Sequence, residues 1–258
     1  MSVLSVIAGL PGAVAQAGNG LAAQAGVALA GRDKSFFEEL VSSPVIRKKL
    51  WPAVVETLQM TGLSTLVAVL VGLPLGIALV ATASRGLRPN RVVNAVLSAI
   101  VNVGRSVPFI ILLIALIPFT RWLVGDTLGW LPASVPLSIG AIPFFARLAE
   151  SAILGVESGK IEAAQMMGAT RLQIMWGVQV REALPTLIQQ ITVTAVTLVS
   201  YSAMAGTVGA GGLGNLAILY GYNRYNTPVM VAAIVVIVVI VQLIQWVGDM
   251  LSRWVDHR

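Results

Sequence analysis

Cysteine is absent from this sequence, and histidine occurs once, at His257. Without thiols there is no disulfide framework, no thiolate nucleophile and no cysteine metal site. A lone histidine next to the last residue argues against histidine catalysis or metal ligation inside the fold. Charge is also scarce. Asp, Glu, Lys and Arg make up 11% of the 258 residues, against about 25% in soluble domains. Instead, 57% of the residues are hydrophobic. These proportions describe a polytopic membrane protein and exclude an ordinary soluble domain. The net charge of +6 does not point to nucleic acid, because the basic residues sit at the ends of apolar segments, as they do in membrane proteins.

Residues 1–50 are expected to be an N-terminal extension, surface-lying or poorly ordered. Residues 1–31 carry no charge but contain Pro11, Gln16, Asn19 and Gln24 among many Ala and Gly, which weakens a sixth span. No basic n-region precedes Arg32, so a signal peptide is not indicated. Ser35-Phe36-Phe37-Glu38 is expected to cap a short helix ahead of Arg47-Lys48-Lys49.

A permease domain is expected over 51–258: all-α, with five core transmembrane helices. The first span runs from Thr57 to about Ala83, uncharged throughout and long enough for a bilayer, which needs about 20 residues. Val92, Val93, Val96, Leu97 and Ile100 recur at helical spacing. They predict an interfacial helix leading into a second span, kinked at Pro108 and ending near Pro118. A loop follows over 121–133. The third span covers 133–154, the fourth 187–205 and the fifth 227–247, with a glycine-rich loop over 206–226. Arg147 and Glu150 are three apart and can pair on one helix face.

Ten basic residues fall on one side of this layout: Arg85, Arg88, Arg91, Arg105, Arg147, Lys160, Arg171, Arg181, Arg253 and Arg258. Arg121 and Arg224 fall on the other. The basic bias puts the larger set in the cytoplasm and the N-terminus outside, where Arg47-Lys48-Lys49 runs against the rule. Arg105, Arg147 and Glu150 are read as charges near the cytoplasmic face. For Arg105 the alternative is a function inside the membrane.

Residues 157–185 form the longest polar interruption after residue 57. Lys160 to Met167 is rich in helix formers, Gly168 is suited to a left-handed stop, and Thr170-x-x-Gln173 fits a capping box. The prediction is two short helices with a corner at Gly168. Two nucleotide motifs fail beside it. Gly155 to Ile161 has three residues between its glycines and Ile161 after Lys160, whereas a P-loop needs four and a Ser or Thr. Gly209-Ala210-Gly211-Gly212-Leu213-Gly214 matches a dinucleotide fingerprint in letters, yet follows a membrane helix and has no acidic residue between Glu182 and Asp249. Its glycines are read as close packing at the outer mouth of a pathway. Tyr201-Ser202-Ala203-Met204 ends the fourth span, either as helix packing or as a constriction with Met204 as an adaptable apolar plug.

Glu162-Ala163-Ala164-x-x-x-Gly168 resembles the EAA loop of ABC-importer permeases, which docks on an ATPase subunit. The usual Ile-x-Leu-Pro ending is replaced by Val178-Gln179-Val180-Arg181, which leaves the exit angle of the second helix open. Together with Arg105-Ser106-Val107-Pro108-Phe109-Ile110-Ile111-Leu112-Leu113, Ile117-Pro118-Phe119-Thr120-Arg121 and Tyr201 to Tyr225, this chain resembles the permeases of methionine ABC importers over about residues 50–255. The resemblance implies an inner-membrane homodimer in a lipid bilayer, two copies of a separate ATP-binding subunit, and an external solute-binding protein or lipoprotein. It implies no cofactor on the chain and no enzymatic activity of its own. Glu162, Ala163, Ala164, Gly168, Thr170 and Arg171 would couple to the ATPase. Tyr201, Ser202, Met204, Gly209, Gly211, Gly212 and Gly214 would form the gate. A permease for another small solute is the alternative. A self-contained carrier would need intramembrane carboxylates and internal repeats. The acids Glu56, Glu150 and Asp249 sit at span ends. A membrane enzyme would need a cluster of His, Asp or Ser groups that is not seen.

Overall fold

A computed structural model describes residues 42–84 and 86–256. Residues 1–41, including the expected Ser35–Glu38 cap, lie outside the described residues, as do Arg85, His257 and Arg258. Among the described residues the secondary structure is helical throughout. Four helices are long and apolar enough to cross a membrane, and a bent pair makes up to five.

Helix α1, Pro44–Thr82, has 39 residues and so a length of about 58 Å. It starts well before the expected Thr57, and residues 44–50, assigned by sequence to the extension, form its first two turns. The expected boundary followed the disappearance of charge. Helical backbone does not stop at charged residues, and Pro44 is suited to the first helical position.

The second span is broken twice. Helix α2, Arg91–Ser106, is capped by the Asn90 side chain, which accepts hydrogen bonds from the Val92 and Val93 N–H groups. Val107 is extended (φ −83°, ψ 123°), as expected of a residue that precedes proline. The chain turns by 97° there into α3, Phe109–Ala115. Pro118 then opens α4, Ile117–Val124, which ends on left-handed Gly125. The expected end at Pro118 is therefore corrected to Val124, because a proline in the first turn starts a helix as readily as it stops one. Helix α2, expected at the interface, packs against the bundle. It begins beside the end of α1, where Asn94 donates to the Leu79 carbonyl at 2.9 Å. It climbs until Gly104 abuts Pro143, to which an added Cβ would come within 2.9 Å.

Helix α5, Trp130–Leu154, is the central element. It starts three residues before the expected Ala133, since Pro132 in the first turn lacks only an N–H that would be unpaired anyway. Gly72 and Gly76 of α1 bring the two backbones together. A Cβ on Gly76 would lie 2.7 Å from the Ala146 carbonyl oxygen and 2.9 Å from the Ala149 Cβ. Small residues at this spacing allow close helix contact within a membrane. Met60, Ala68, Leu137, Phe145, Ala149 and Leu198 fill the core around α5.

Helix α6, Ser158–Met166, leads to α7, Arg171–Gln173, which continues through a π-helical stretch, Ile174–Val180, into α8, Arg181–Ala205. The second helix of the predicted corner is thus not short. It is the start of the fourth span, and Pro185 lies inside it. With Arg181 in the place of the usual proline, the helix runs on.

Residues 206–226 are not an open loop. A 3-10 turn, Gly206–Val208, leads to α9, Gly212–Asn215, and a π-helical stretch, Leu216–Tyr222. The last helix, α10, Thr227–Val255, outruns the expected Val247 and packs on α8 where a Cβ on Gly248 would collide with Thr192.

Two ends result. The corner end carries Thr82, Leu154 and α6. The far end carries the starts of α1 and α5 and the segment 206–226. Lys49 and Arg224 both lie over the Tyr220 ring, at 5.0 and 4.7 Å. The basic residues at the start of α1 therefore share the far end with Arg224.

Candidate functional site

The corner end presents a compact double helix. Gly168 has φ +78°, the left-handed stop that the sequence predicts. The capping box is formed: the Thr170 N–H donates to Gln173 Oε1 at 2.8 Å, and the Gln173 N–H donates to Thr170 Oγ1 at 3.4 Å. Ala164, Ile174 and Met175 turn inward and are buried. Glu162, Ala163, Thr170 and Arg171 are exposed. So are Met166, Met167 and Leu172, at 90%, 81% and 73%. Apolar side chains grouped at a polar helix corner are characteristic of interaction surfaces. Lys160 donates to Glu182 at 2.6 Å and ties α6 to the base of α8. The sequence pattern located the corner but not these three apolar knobs.

At the far end the predicted gate residues separate into two groups. Met204 is 40% exposed, and Tyr201 is half-buried, stacked on Phe109 with ring centres 4.6 Å apart. These two present side chains to open space. Ser202 does not. It is buried and donates to the Val199 carbonyl. The glycines serve the reversal after α8. Gly209, Gly211 and Gly212 all have positive φ, and Gly214 lies against Ala203 with no room for a Cβ. The start of α9 is held from α1: Glu56 Oε2 accepts from the Gly212 N–H at 2.6 Å, and Thr57 Oγ1 accepts from the Leu213 N–H at 2.9 Å. A carboxylate is stabilised at this position by unpaired helix N–H groups. Glu56, beside the uncharged run that starts at Thr57, therefore also caps this segment. It stands three turns inside α1, a role that sequence reasoning missed.

The third group runs from the corner end of α5 to its middle. Arg147 donates to Glu150 at 2.6 Å and to Asn102 at 2.7 Å, which clamps α2 onto α5. Glu150 is one turn from the end of α5, so this pair stays near the corner end as expected. Arg105 does not. Its neighbour Gly104 touches Pro143, the midpoint of α5. Arg105 lines a cavity of about 240 Å³ with Gly104, Val107, Phe109, Leu112, Gly140, Phe144 and Tyr201. Among the described residues no group of three or more His, Cys, Asp or Glu could hold a metal.

An exposed helix corner, apolar helices long enough to span a membrane and a cleft lined by both polar and apolar side chains suit a membrane transport protein. A family model described as the binding-protein-dependent transport system inner membrane component matches residues 49–258. The chain belongs to this family. Other inner membrane components of such systems are similar in sequence. The probable D-methionine transport system permease protein MetI of Vibrio cholerae serotype O1 is 53% identical over 142 residues, 55% of this chain and 63% of that protein. The matched stretch thus spans less than two thirds of that relative. The MetI of Escherichia coli strain K12 is 48% identical over 142 residues, 65% of its length. A chain of the native crystal form showing inward-facing conformations of the MetNI methionine ABC transporter superposes with TM-score 0.81 at 46% identity, covering 83% of this chain and 100% of that one. A chain of an amino acid ABC transporter with histidines, at 20% identity and TM-score 0.67, shares the fold.

Proposed function

We propose that this chain is the membrane-spanning permease subunit of an ATP-driven methionine importer. Two copies pair about a twofold axis. The α6–α7 corner of each docks on a separate ATPase subunit in the cytoplasm, and a solute-binding protein or lipoprotein delivers the amino acid at the far, outer end. ATP is bound by the partner. The observation that carries the reading is the corner itself, a left-handed glycine between helices whose exposed tips are Met166, Met167 and Leu172. The names of the similar proteins support methionine as the solute. Glu162, Ala163, Ala164, Gly168, Thr170 and Arg171 shape the docking element. Ala164 anchors it, and the others face the partner or set its backbone.

Movement of the ATPase subunits would push on the corner. Because α7 runs without a break into α8, the push reaches Tyr201 and Met204 at the other end of one continuous rod. A pair of Met204 side chains, repeated by twofold symmetry, would close the outer mouth with apolar surface and open it after a modest helix shift.

Co-purification with the cognate ATPase tests this function. The wild-type chain should retain the ATPase and, in proteoliposomes with the binding protein, take up methionine when ATP is supplied. Met167→Asp with Leu172→Asp puts charge into the docking surface and should abolish both while leaving the amount of chain in the membrane unchanged. A wild-type chain that moves methionine with no ATPase present would instead identify a self-contained carrier.

A further inference from the structure

We infer that the cleft around Arg105 is a solute-contact site inside the membrane, in which the guanidinium receives the carboxylate of an amino acid and an aromatic wall takes its apolar side chain. The inference rests on the importer reading above and adds a binding residue to it.

Depth is the first argument. Gly104 packs on Pro143, midway along the 25 residues of α5, so Arg105 stands far from either end of the bundle. An ionised side chain at that depth does not face lipid. It faces a water-filled cavity, a counter-charge or a ligand. No counter-charge is present: Arg105 makes no ion pair or hydrogen bond among the described residues. The nearest acid along this helix pair, Glu150, is already held by Arg147 at 2.6 Å. The cleft therefore has an uncompensated positive charge and favours an anionic group. A guanidinium offers a planar fork that matches a carboxylate with two parallel N–H donors.

The walls supply the second argument. Phe109 stacks flat on Tyr201, with an interplanar angle of 2°, and Leu112 and Phe144 complete one apolar wall of the cleft. Gly140 and Gly104 let the elements around the cleft pack closely: a Cβ on Gly140 would meet Leu112 at 3.2 Å, and one on Gly104 would meet Pro143 at 2.9 Å. The Tyr201 hydroxyl has no hydrogen-bond partner among the described residues and remains free for a ligand. A cavity of about 240 Å³ suits one small amino acid rather than a peptide. One cation beside an aromatic wall matches an α-carboxylate joined to an unbranched apolar side chain.

The absence of cysteine makes the test clean, since a single introduced thiol reports alone. Val107→Cys lines the cleft and leaves Arg105 in place. In the complete transporter with its ATPase, a water-soluble thiol reagent should label it. Methionine at about ten times its dissociation constant should slow labelling roughly tenfold, since about nine-tenths of the sites are then occupied. Methioninol, which has the same side chain and no carboxylate, should give little protection. Protection by methionine should disappear in Val107→Cys with Arg105→Ala and return in part with Arg105→Lys. Equal protection by both compounds, or protection that survives Arg105→Ala, would overturn the site. So would a thiol that never reacts, because the cleft would then be closed to water. Uptake is measured in parallel: Arg105-dependent protection without uptake would sink the importer reading and leave the site standing.

Discussion

Gly168 shows how much one residue decides. Its φ of +78° lies where L side chains are strained, and nothing comes within 4 Å of a Cβ built there. Any substitution penalty is therefore backbone strain without steric clash. Gly168→Val should cost on the order of 1–2 kcal/mol and misdirect α7. Gly168→Asn should be tolerated, because Asn enters the left-handed region more readily. ATPase stimulation by methionine-loaded binding protein should fall in the first variant and largely survive in the second. Wild-type stimulation in Gly168→Val would remove the residue from coupling. This glycine was legible in sequence because the run of helix formers before it and the Thr170 cap after it are local signals. Glu56 was not. The N–H it receives belongs to Gly212, 156 residues away, and no local pattern encodes that pairing.

Among the elements, α2 depends on a single polar clamp. Its climb along α5 is fixed by Asn102, Arg147 and Glu150. Glu150 is only 9% exposed, so removing Arg147 leaves a buried carboxylate without its partner. Arg147→Ala should destabilise the protein by about 2–4 kcal/mol, since breaking such a pair from one side is costly. Arg147→Ala with Glu150→Gln should be milder than Arg147→Ala alone, because no unpaired charge remains. Thermal melts of the detergent-solubilised protein should rank wild type, double variant and single variant in that order. A double variant worse than the single would show that the clamp holds by more than charge. The sequence offered Arg147 and Glu150 at helical spacing and so disclosed that pair. It did not disclose Asn102, which reaches the cluster only because Val107-Pro108 bends the second span and leaves α2 lying on α5.

For the whole molecule, topology and pairing can be read with introduced thiols. In intact cells an impermeant reagent should label Arg224→Cys and leave Arg171→Cys untouched, since the two sit at opposite ends of α8 and its continuation. Labelling of Arg171→Cys from outside would invert the orientation. In isolated membranes Met204→Cys should form a disulfide with its own copy, because a twofold axis brings like residues together. Failure to cross-link, with normal uptake, would place the outer constriction elsewhere. The basic start of α1 shares the far end with Arg224 and Tyr220, as the five-span count requires. It remains an exception to the charge rule that the ten basic residues elsewhere outweigh.

Composition and run length determined that this is a membrane protein of apolar helices, because a chain with 11% charge and uncharged runs of about twenty residues or more satisfies its backbone in lipid by hydrogen bonding within each run as a helix. Local pattern determined the corner at Gly168, the kink at Pro108 and the helical pairing of Arg147 with Glu150, since each depends on neighbours within one or two turns. Tertiary structure decided the rest. It converted the glycine-rich segment into a packed hairpin capped by Glu56 and Thr57, and it laid α2 so that Gly104 abuts Pro143, halfway along α5. In each case the deciding contact joins residues far apart in the chain. Its energy comes from packing or from an N–H that must find an acceptor, neither of which is written in the residues nearby.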